Sequence, residues 1–239
     1  MLLKIINVFA FILMVVVNYM ANALPINGKT TGELSAQFPN LFVPAGITFS
    51  IWGIIYLLLL AFLVFQFTGE SKSWVNTIGW SFAISCILNA LWIVAWHYEQ
   101  LPLSLMIMLG LLIVLVYING VVINASMGLT KIAFGLYLGW ICVATIANAT
   151  ALLVHYNWAG WGISQEAWAI IMIAASVVIS VFALTRLQNP FLGIALIWAF
   201  AGIMIKRFDD YTSIVIAAGA AIIVVGVFMV LALQKKVFL

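Results

Sequence analysis

Stretches of about 20 mostly apolar residues follow one another along almost the whole chain, separated by short polar connectors. Each is about as long as a helix must be to cross the hydrocarbon core of a bilayer. Hydrophobic residues make up 67% of the chain and charged residues only 6%, against about 25% charged in an ordinary soluble domain. This composition excludes a soluble globule and a disordered chain. The net charge of +3, without a basic cluster, excludes a nucleic-acid-binding protein.

The charged and turn residues divide the chain into about eight apolar blocks. Continuous apolar runs that do not alternate with polar residues predict helices rather than a membrane barrel. We therefore predict an all-α, polytopic integral membrane bundle of about eight transmembrane helices. The seventh block, between Pro190 and Lys206, is short for a full span. The predicted blocks are 5–24, 47–68, 76–97, 103–125, 132–155, 167–185, 192–206 and 213–234.

The distribution of basic residues predicts that both termini lie in the cytoplasm. With eight spans, six of the nine Lys and Arg residues fall on the side of the N-terminus, and such an excess marks the cytoplasmic side. Compact loops and the lack of a transit peptide favour the plasma membrane. The first block also resembles a cleavable signal that ends at residues 21–23, but its length favours an uncut helix. The six basic residues are Lys4, Lys72, Lys131, Arg186, Lys235 and Lys236.

No Asp, Glu, Lys or Arg lies at the centre of a predicted span. Proton pumps, ion-coupled transporters and voltage sensors usually depend on such groups, so these functions are disfavoured. The sequence also lacks the Gly-x-Ser-x-Gly and His-Glu-x-x-His motifs and a phosphate-binding glycine loop. An enzyme is therefore the weaker expectation, and no cofactor is predicted. His97 and His155 are expected at helix ends, solvated or at the level of the lipid headgroups; axial haem ligation is the alternative.

Large aromatic side chains and amides share one helix face in each of three predicted spans, because their spacing follows the helical repeat. If these faces meet, they build an aromatic-walled cavity with a few hydrogen-bonding groups, which suits a flat, mostly apolar ligand. Packing without a ligand is the alternative. The candidate site residues are Trp52 and Tyr56 on the second span, Asn89, Trp92 and Trp96 on the third, and Trp140, Ala144 and Asn148 on the fifth.

Three sequence elements, in this order, resemble the tryptophan-rich sensory protein family, also called the TspO/MBR or translocator protein family. Residues 44–56 lie where the family has a proline-led entry into the second helix followed by W-x3-Y. Residues 88–92 (LNALW) resemble its third-helix LNxxW element, and residues 137–148 (YLGWICVATIAN) are similar to its fifth-helix YLxWxxxATxxN element. The resemblance covers about residues 1–156, including a long first connector at 25–46.

This resemblance implies a five-helix bundle in which the first loop and the helix ends close a pocket for porphyrins, sterols and synthetic ligands. It also implies roles in the sensing, transport or degradation of tetrapyrroles. The tryptophan-proline-proline entry of the family is reduced here to residues 42–45 (FVPA), with Gly46 where the family has a Trp. The loss of that aromatic argues against porphyrin-specific contacts and porphyrin breakdown. Residues 157–239 have no counterpart in the five-helix pattern.

We therefore expect residues 1–156 to form a ligand-binding bundle and residues 157–239 a three-helix membrane extension of unknown role. The expected function is the binding of a hydrophobic ring compound, such as a porphyrin, haem or a sterol, by a sensor or carrier in the lipid bilayer. Two alternatives are open: a membrane enzyme acting on lipid or tetrapyrrole, and a non-catalytic subunit that docks a partner through its last three helices. Small residues in the last block also allow a homo-oligomer; they are Ala217, Gly219, Ala221 and Gly226.

Overall fold

A computed structural model describes residues 1–68 and 71–234, and this part of the chain contains helices and no strands. Eight long helices coincide with the eight predicted blocks, so the all-α prediction is confirmed. Two further helices, α2 and α4, are short. The helices are α1 (Leu2–Ala23), α2 (Thr31–Ala36), α3 (Ile51–Thr68), α4 (Ser71–Ile78), α5 (Ser81–His97), α6 (Leu101–Val121), α7 (Leu129–His155), α8 (Gln165–Leu187), α9 (Phe191–Arg207) and α10 (Thr212–Leu233).

By length and composition alone, fewer of the described helices qualify as membrane spans than the eight predicted blocks. Six helices in the described residues are long and apolar enough to cross a membrane, or seven if α4 and α5 are counted as one broken span. The chain bends by 71° between these two helices, where Gly79 adopts a positive φ of 59°. The other short block, α9, has 17 residues and is therefore about 25 Å long, less than the roughly 30 Å of a hydrocarbon core.

Despite its length, α9 runs from one end of the bundle to the other. At its start, the Asn189 amide donates to the carbonyl oxygen of Lys131 at the beginning of α7 (2.9 Å). At its end, Arg207 donates to the carbonyl oxygen of Leu41 in the first loop (3.2 Å). The first loop and the start of α7 lie at opposite ends of the bundle, because α7 ends beside the first loop, where His155 contacts Phe38. The seventh block is therefore a complete pass through the protein.

Helix α7 is the central helix of the bundle. It packs against α3, α6, α8 and α9, while α5 packs between α1 and α6, and α10 packs on α8 and α9. The contact of α7 with α9 is very close at Gly139, where a Cβ atom would overlap the Leu192 carbonyl oxygen and lie 2.9 Å from Ala195 Cβ. Helices α8 and α9 are thus packed directly onto the part of the chain that carries the candidate site, and α10 packs on these two helices.

Buried amides connect the helices at several depths, as expected for polar groups without access to water. Asn18 of α1 donates to Asn89 of α5 (2.8 Å), and Asn89 donates to the Tyr137 hydroxyl of α7 (3.0 Å). Asn148 of α7 donates to the Ser104 hydroxyl of α6 (2.7 Å). These bonds fix the rotation of α1, α5, α6 and α7 about their axes and so determine which side chains face one another.

Candidate functional site

Indole rings from α3, α5 and α7 meet at the end of the bundle that the first loop covers. Trp52 is the centre of the cluster: its ring centroid lies 6.3 Å from that of Trp92, nearly parallel, and 6.3 Å from that of Trp140, nearly perpendicular. Trp96 stacks on the far side of Trp92 at 6.3 Å. These separations are within the range in which aromatic rings attract one another. The three helix faces predicted from spacing therefore do converge.

A small cavity lies beside these indoles. Its free volume is about 50 Å³, which is room for one or two waters, since a water occupies about 30 Å³ in the liquid. The helix side chains around it include six of the eight candidate residues: Trp52, Trp92, Trp96, Trp140, Ala144 and Asn148. The first loop covers it with Thr31, Ser35, Asn40, Val43 and Pro44.

Several polar groups of the cavity lining lack partners. The Nε1–H groups of Trp92, Trp96 and Trp140 are buried and make no hydrogen bond, and neither does the Oδ1 atom of Asn148. Leaving such a group unsatisfied costs about 1–3 kcal/mol, and polar cavities of this size commonly hold water. The residues that line the cavity therefore carry three hydrogen-bond donors and one acceptor that have no partner within the described protein.

The structure places the other two candidate residues outside this cavity. Asn89 does not line it, because both ends of its amide are used in the bonds to Asn18 and Tyr137. Tyr56 stacks on Trp52 with 5.5 Å between ring centroids and lines a separate groove on the other side of that indole. Asn89 is thus a packing residue, and Tyr56 belongs to the groove.

This groove lies between α1 and α3 and has a free volume of about 740 Å³. Its lining includes Asn18, Asn22, Tyr56 and the exposed Gly53. It shares Thr31, Phe49 and Trp52 with the indole cavity. The half-buried Trp52 ring is therefore part of the partition between the indole cavity and the larger groove on the side of the bundle.

Helix α9 holds the first loop in place over the indole cavity. Five hydrogen bonds join residues more than 140 positions apart in sequence, and two of them come from the Arg207 guanidinium, where a charged donor strengthens the bond. At Gly202, the helix backbone touches the loop so closely that a Cβ atom would overlap Thr48 Oγ1. The bonds are Arg207 Nη2 to Asn40 O (2.8 Å), Arg207 Nε to Leu41 O (3.2 Å), Lys206 Nζ to Pro44 O (3.5 Å), Ala45 N to Gly202 O (3.0 Å) and Trp198 Nε1 to Thr48 O (2.8 Å).

The N-terminal part of the loop is attached to α5. His97, predicted to be solvated or at headgroup level, is instead 1% exposed. Its Nδ1 atom lies 2.8 Å from the Ile93 carbonyl oxygen and its Nε2 atom 3.4 Å from Thr31 Oγ1. The prediction failed because the loop folds back over the helix end and removes it from water. His155 is exposed, as predicted.

The short helix α2 within the loop begins with a capping box. The Thr30 hydroxyl accepts from the Glu33 backbone, and the Glu33 carboxylate accepts from the Thr30 backbone N–H (2.8 Å). The backbone and hydroxyl of Thr30 hold the pKa of Glu33 below its usual value. Beside it, Lys29 forms an ion pair with Glu99 (2.7 Å) in the connector after α5. These contacts order the cover of the cavity.

A family model described as TSPO-like protein matches residues 4–231. The chain belongs to the TSPO-like protein family. The match continues past residue 156 and includes α8, α9 and most of α10, which the resemblance over residues 1–156 did not cover. No curated protein and no solved structure matches the chain significantly. This TSPO-like protein is therefore a multi-pass membrane protein embedded in a lipid bilayer.

Sequence reasoning missed the loop residues of the TSPO-like site. Phe49 contacts Trp140 edge-on at 6.0 Å, and Asn40 lines the cavity while its Oδ1 accepts from the backbones of Phe42 and Val43 (both 3.1 Å). Asn40 lies in a connector without helical periodicity, so no spacing signal marks it. Phe49 lies inside the predicted block 47–68, and its spacing of three residues from Trp52 was a signal that could have found it. For Asn40, the only indication of a special role in the sequence is that this polar residue comes directly before the apolar residues 41–44.

Proposed function

We propose that this TSPO-like protein binds a hydrophobic ring ligand, of the porphyrin, haem or sterol class, against the indole cluster and acts as its sensor or carrier. The observation that carries the proposal is the set of unpaired indole N–H groups around a mostly apolar cavity. A ring compound with carboxylate, carbonyl or hydroxyl oxygens would satisfy these donors while its flat body stacks on the indoles.

The size of the cavity indicates that binding requires movement of a side chain. Ligand pockets usually measure about 300–1,000 Å³, so 50 Å³ is too small for a tetrapyrrole or a sterol. The neighbouring groove is within this range, and Trp52 lies between the two spaces. We infer that a ligand enters through the groove between α1 and α3, displaces the Trp52 ring and stacks on Trp92 and Trp140 beneath the first loop.

The lining favours binding over catalysis. Among the described residues around the indole cavity there is no Asp, Glu, Lys, Arg or His, and these are the usual acids, bases and charge stabilisers of enzymes. Non-covalent stacking and hydrogen bonding to indole and amide groups need no charged residue. The proposed activity is therefore reversible binding.

Fluorescence quenching tests the proposal on purified protein in detergent micelles titrated with protoporphyrin IX, haem or a sterol analogue that absorbs indole emission. We expect Trp140→Ala and Trp92→Ala each to weaken binding by about twofold to tenfold, because an aromatic contact is worth about 0.5–1.5 kcal/mol beyond its area. The matched control is Trp80→Ala, which removes an indole that is 56% exposed and lies outside the cavity. Unchanged affinity in both cavity variants would reject the site.

We further propose that the protein lies in the plasma membrane with both termini in the cytoplasm. The fold supports this orientation. Lys206 and Arg207 contact the first loop, so they lie at the same end as Lys29. Lys131 lies at the opposite end, beside the start of α9, on the side predicted to be rich in basic residues. Lys235 and Lys236, which contribute to that prediction, lie outside the described residues. Protease access to tags at the two ends tests the orientation.

A further inference from the structure

A second cavity lies between the first loop and the helices that follow residue 156. Its free volume is about 230 Å³, several times that of the indole cavity. One wall comes from the loop and from the end of α7, and the other from the 156–164 connector and the start of α8. Its main lining residues are Leu41, Phe42, Val154, Trp158, Trp168 and Met172.

The connector that forms this wall has an unusual backbone. Asn157, Gly160, Trp161 and Gly162 all have positive φ values, of 51°, 64°, 52° and 75°. For residues with a side chain this conformation costs of the order of 1 kcal/mol or more, and it is maintained where the surrounding structure imposes it. At Gly160 the conformation brings the backbone so close to Trp168 that a Cβ atom would lie 3.1 Å from the indole nitrogen. Such strain is typical of functional segments.

Three indoles stand at this wall. Trp168 Nε1 donates to the Gly160 carbonyl oxygen (2.9 Å), which fixes the ring in place. Trp158 packs edge-on against Trp168 with 4.9 Å between ring centroids and against Trp161 with 5.2 Å. Trp161 itself is 80% exposed. An exposed tryptophan next to membrane-spanning helices is typical of the headgroup level of a bilayer, which places the mouth of the cavity there.

The chemistry of the walls defines the occupant. The lining contains no charged residue, and its most exposed polar side chain is Gln165. An apolar cavity of about 150 Å³ stays dry and takes up benzene, so a larger cavity with apolar walls favours a larger hydrocarbon group over water. The volume is below that of a usual pocket for a drug-sized ring ligand. At the headgroup level, the surrounding lipids present hydrocarbon chains at high local concentration.

We propose that this second cavity binds the hydrocarbon chain of a membrane amphiphile, with its polar head at the mouth beside Gln165. The chain packs against Trp158, Trp168 and Met172 on one side and against Leu41 and Phe42 of the first loop on the other. The residues that follow position 156 thus complete a lipid-chain site together with the first loop and the end of α7. This site is separate from the indole cavity, with which it shares Asn40, and it does not depend on the ring ligand proposed there.

Bromine-labelled chains test the proposal, because bromine quenches an indole that it touches. Wild-type protein in micelles is titrated with 9,10-dibromostearate and, in a parallel series, with a phosphatidylcholine that carries the same dibrominated chain. We expect saturable quenching by at least one of them, and the series that saturates identifies a free fatty acid or a phospholipid as the source. The double variant with Trp158→Phe and Trp168→Phe should lose most of the saturable amplitude.

A steric pair of variants locates the site. Ala169 is 3% exposed and lines the cavity, so Ala169→Phe fills it and should weaken the saturable quenching at least tenfold. Ala174→Phe is the control, since Ala174 is exposed on the same helix and outside the lining. If Ala169→Phe fails to give a folded protein by gel filtration and circular dichroism, Thr150→Phe, at another position of the lining, replaces it. Quenching that rises linearly without saturation, or that is equal in the cavity and control variants, would overturn the proposal.

Discussion

Substitution of Gly202 by alanine should loosen the first loop from α9. A Cβ atom at this position would overlap Thr48 Oγ1 and lie 2.9 Å from Thr48 Cγ2 and 3.0 Å from Pro44 Cβ. Pro44 is a rigid ring, and both branches of the Thr48 side chain lie too close, so that exchanging them by rotation would not clear the space. The loop itself must therefore move away. The Gly202 carbonyl oxygen also accepts the bond from the Ala45 backbone (3.0 Å), and this bond lengthens when the loop moves.

The magnitude follows from two contributions. Forcing an extra carbon into a packed contact costs about 1–3 kcal/mol, and a weakened hydrogen bond costs about 0.5–1.5 kcal/mol. The higher helix propensity of alanine does not offset these costs, because α9 stays helical whether or not the loop is in contact with it. The loop contact should therefore weaken by about 1.5–4.5 kcal/mol, which corresponds to at least about tenfold more frequent opening.

Hydrogen exchange read by mass spectrometry measures this opening directly. In Gly202→Ala, protection of the amides in residues 40–50 should fall by the factor given above, while protection in α6 stays the same. Gly226→Ala in α10 is the matched control, because its new Cβ atom would meet no atom within 4 Å. Equal protection of residues 40–50 in Gly202→Ala and the wild type, or an equal loss in Gly226→Ala, would refute the reasoning.

Three further predictions concern single contacts. Trp198→Phe keeps an aromatic ring but loses the hydrogen bond from the indole N–H to the Thr48 carbonyl oxygen (2.8 Å). The rate of amide hydrogen exchange in residues 40–50 should therefore rise about twofold to tenfold. Asn89→Leu removes two interhelical bonds and should lower the free energy of unfolding in SDS by about 1–2 kcal/mol; an unchanged value would contradict the role of Asn89 as a packing residue. Because the pKa of Glu33 is lowered in the fold, its cap on α2 is complete above the ordinary carboxyl pKa and is lost as pH falls through the lowered value. Protection of residues 31–36, corrected for intrinsic exchange, should fall in that acid range in the wild type but not in Glu33→Gln, whose amide can still form the box.

The helices were predictable because length and apolar continuity are local properties of the sequence. The eight blocks reappear with ends displaced by a few residues, and helical spacing brought Trp52, Trp92 and Trp140 to one place. The break between α4 and α5 was not predicted, since Gly79 lies inside the predicted block 76–97 and its positive φ has no separate signal in the sequence.

The contents of the site were predictable only in part. Spacing places Asn89 on the same face as Trp92, but it does not tell whether an amide is already satisfied, and here Asn18 and Tyr137 occupy it. Spacing also does not give the free volume, because indoles that converge can fill the space between them. The bonds from Arg207 to the first loop join residues 166 and 167 positions apart, and a single sequence carries no signal for such a pairing.

Helix α9 packs closely against α7 and the first loop, and these contacts limit how far the chain can be truncated from its C-terminal end. A fragment that ends at residue 156 would keep all the indoles of the cluster, but the carbonyl groups of Asn40 and Leu41 would lose their guanidinium donor. Gly139 would then present bare backbone to lipid where Leu192 and Ala195 now cover it. The smallest unit that keeps the first loop attached over the indole cavity is therefore the chain through α9, and truncation experiments should begin from the C-terminal end of α10 rather than from the end of α7.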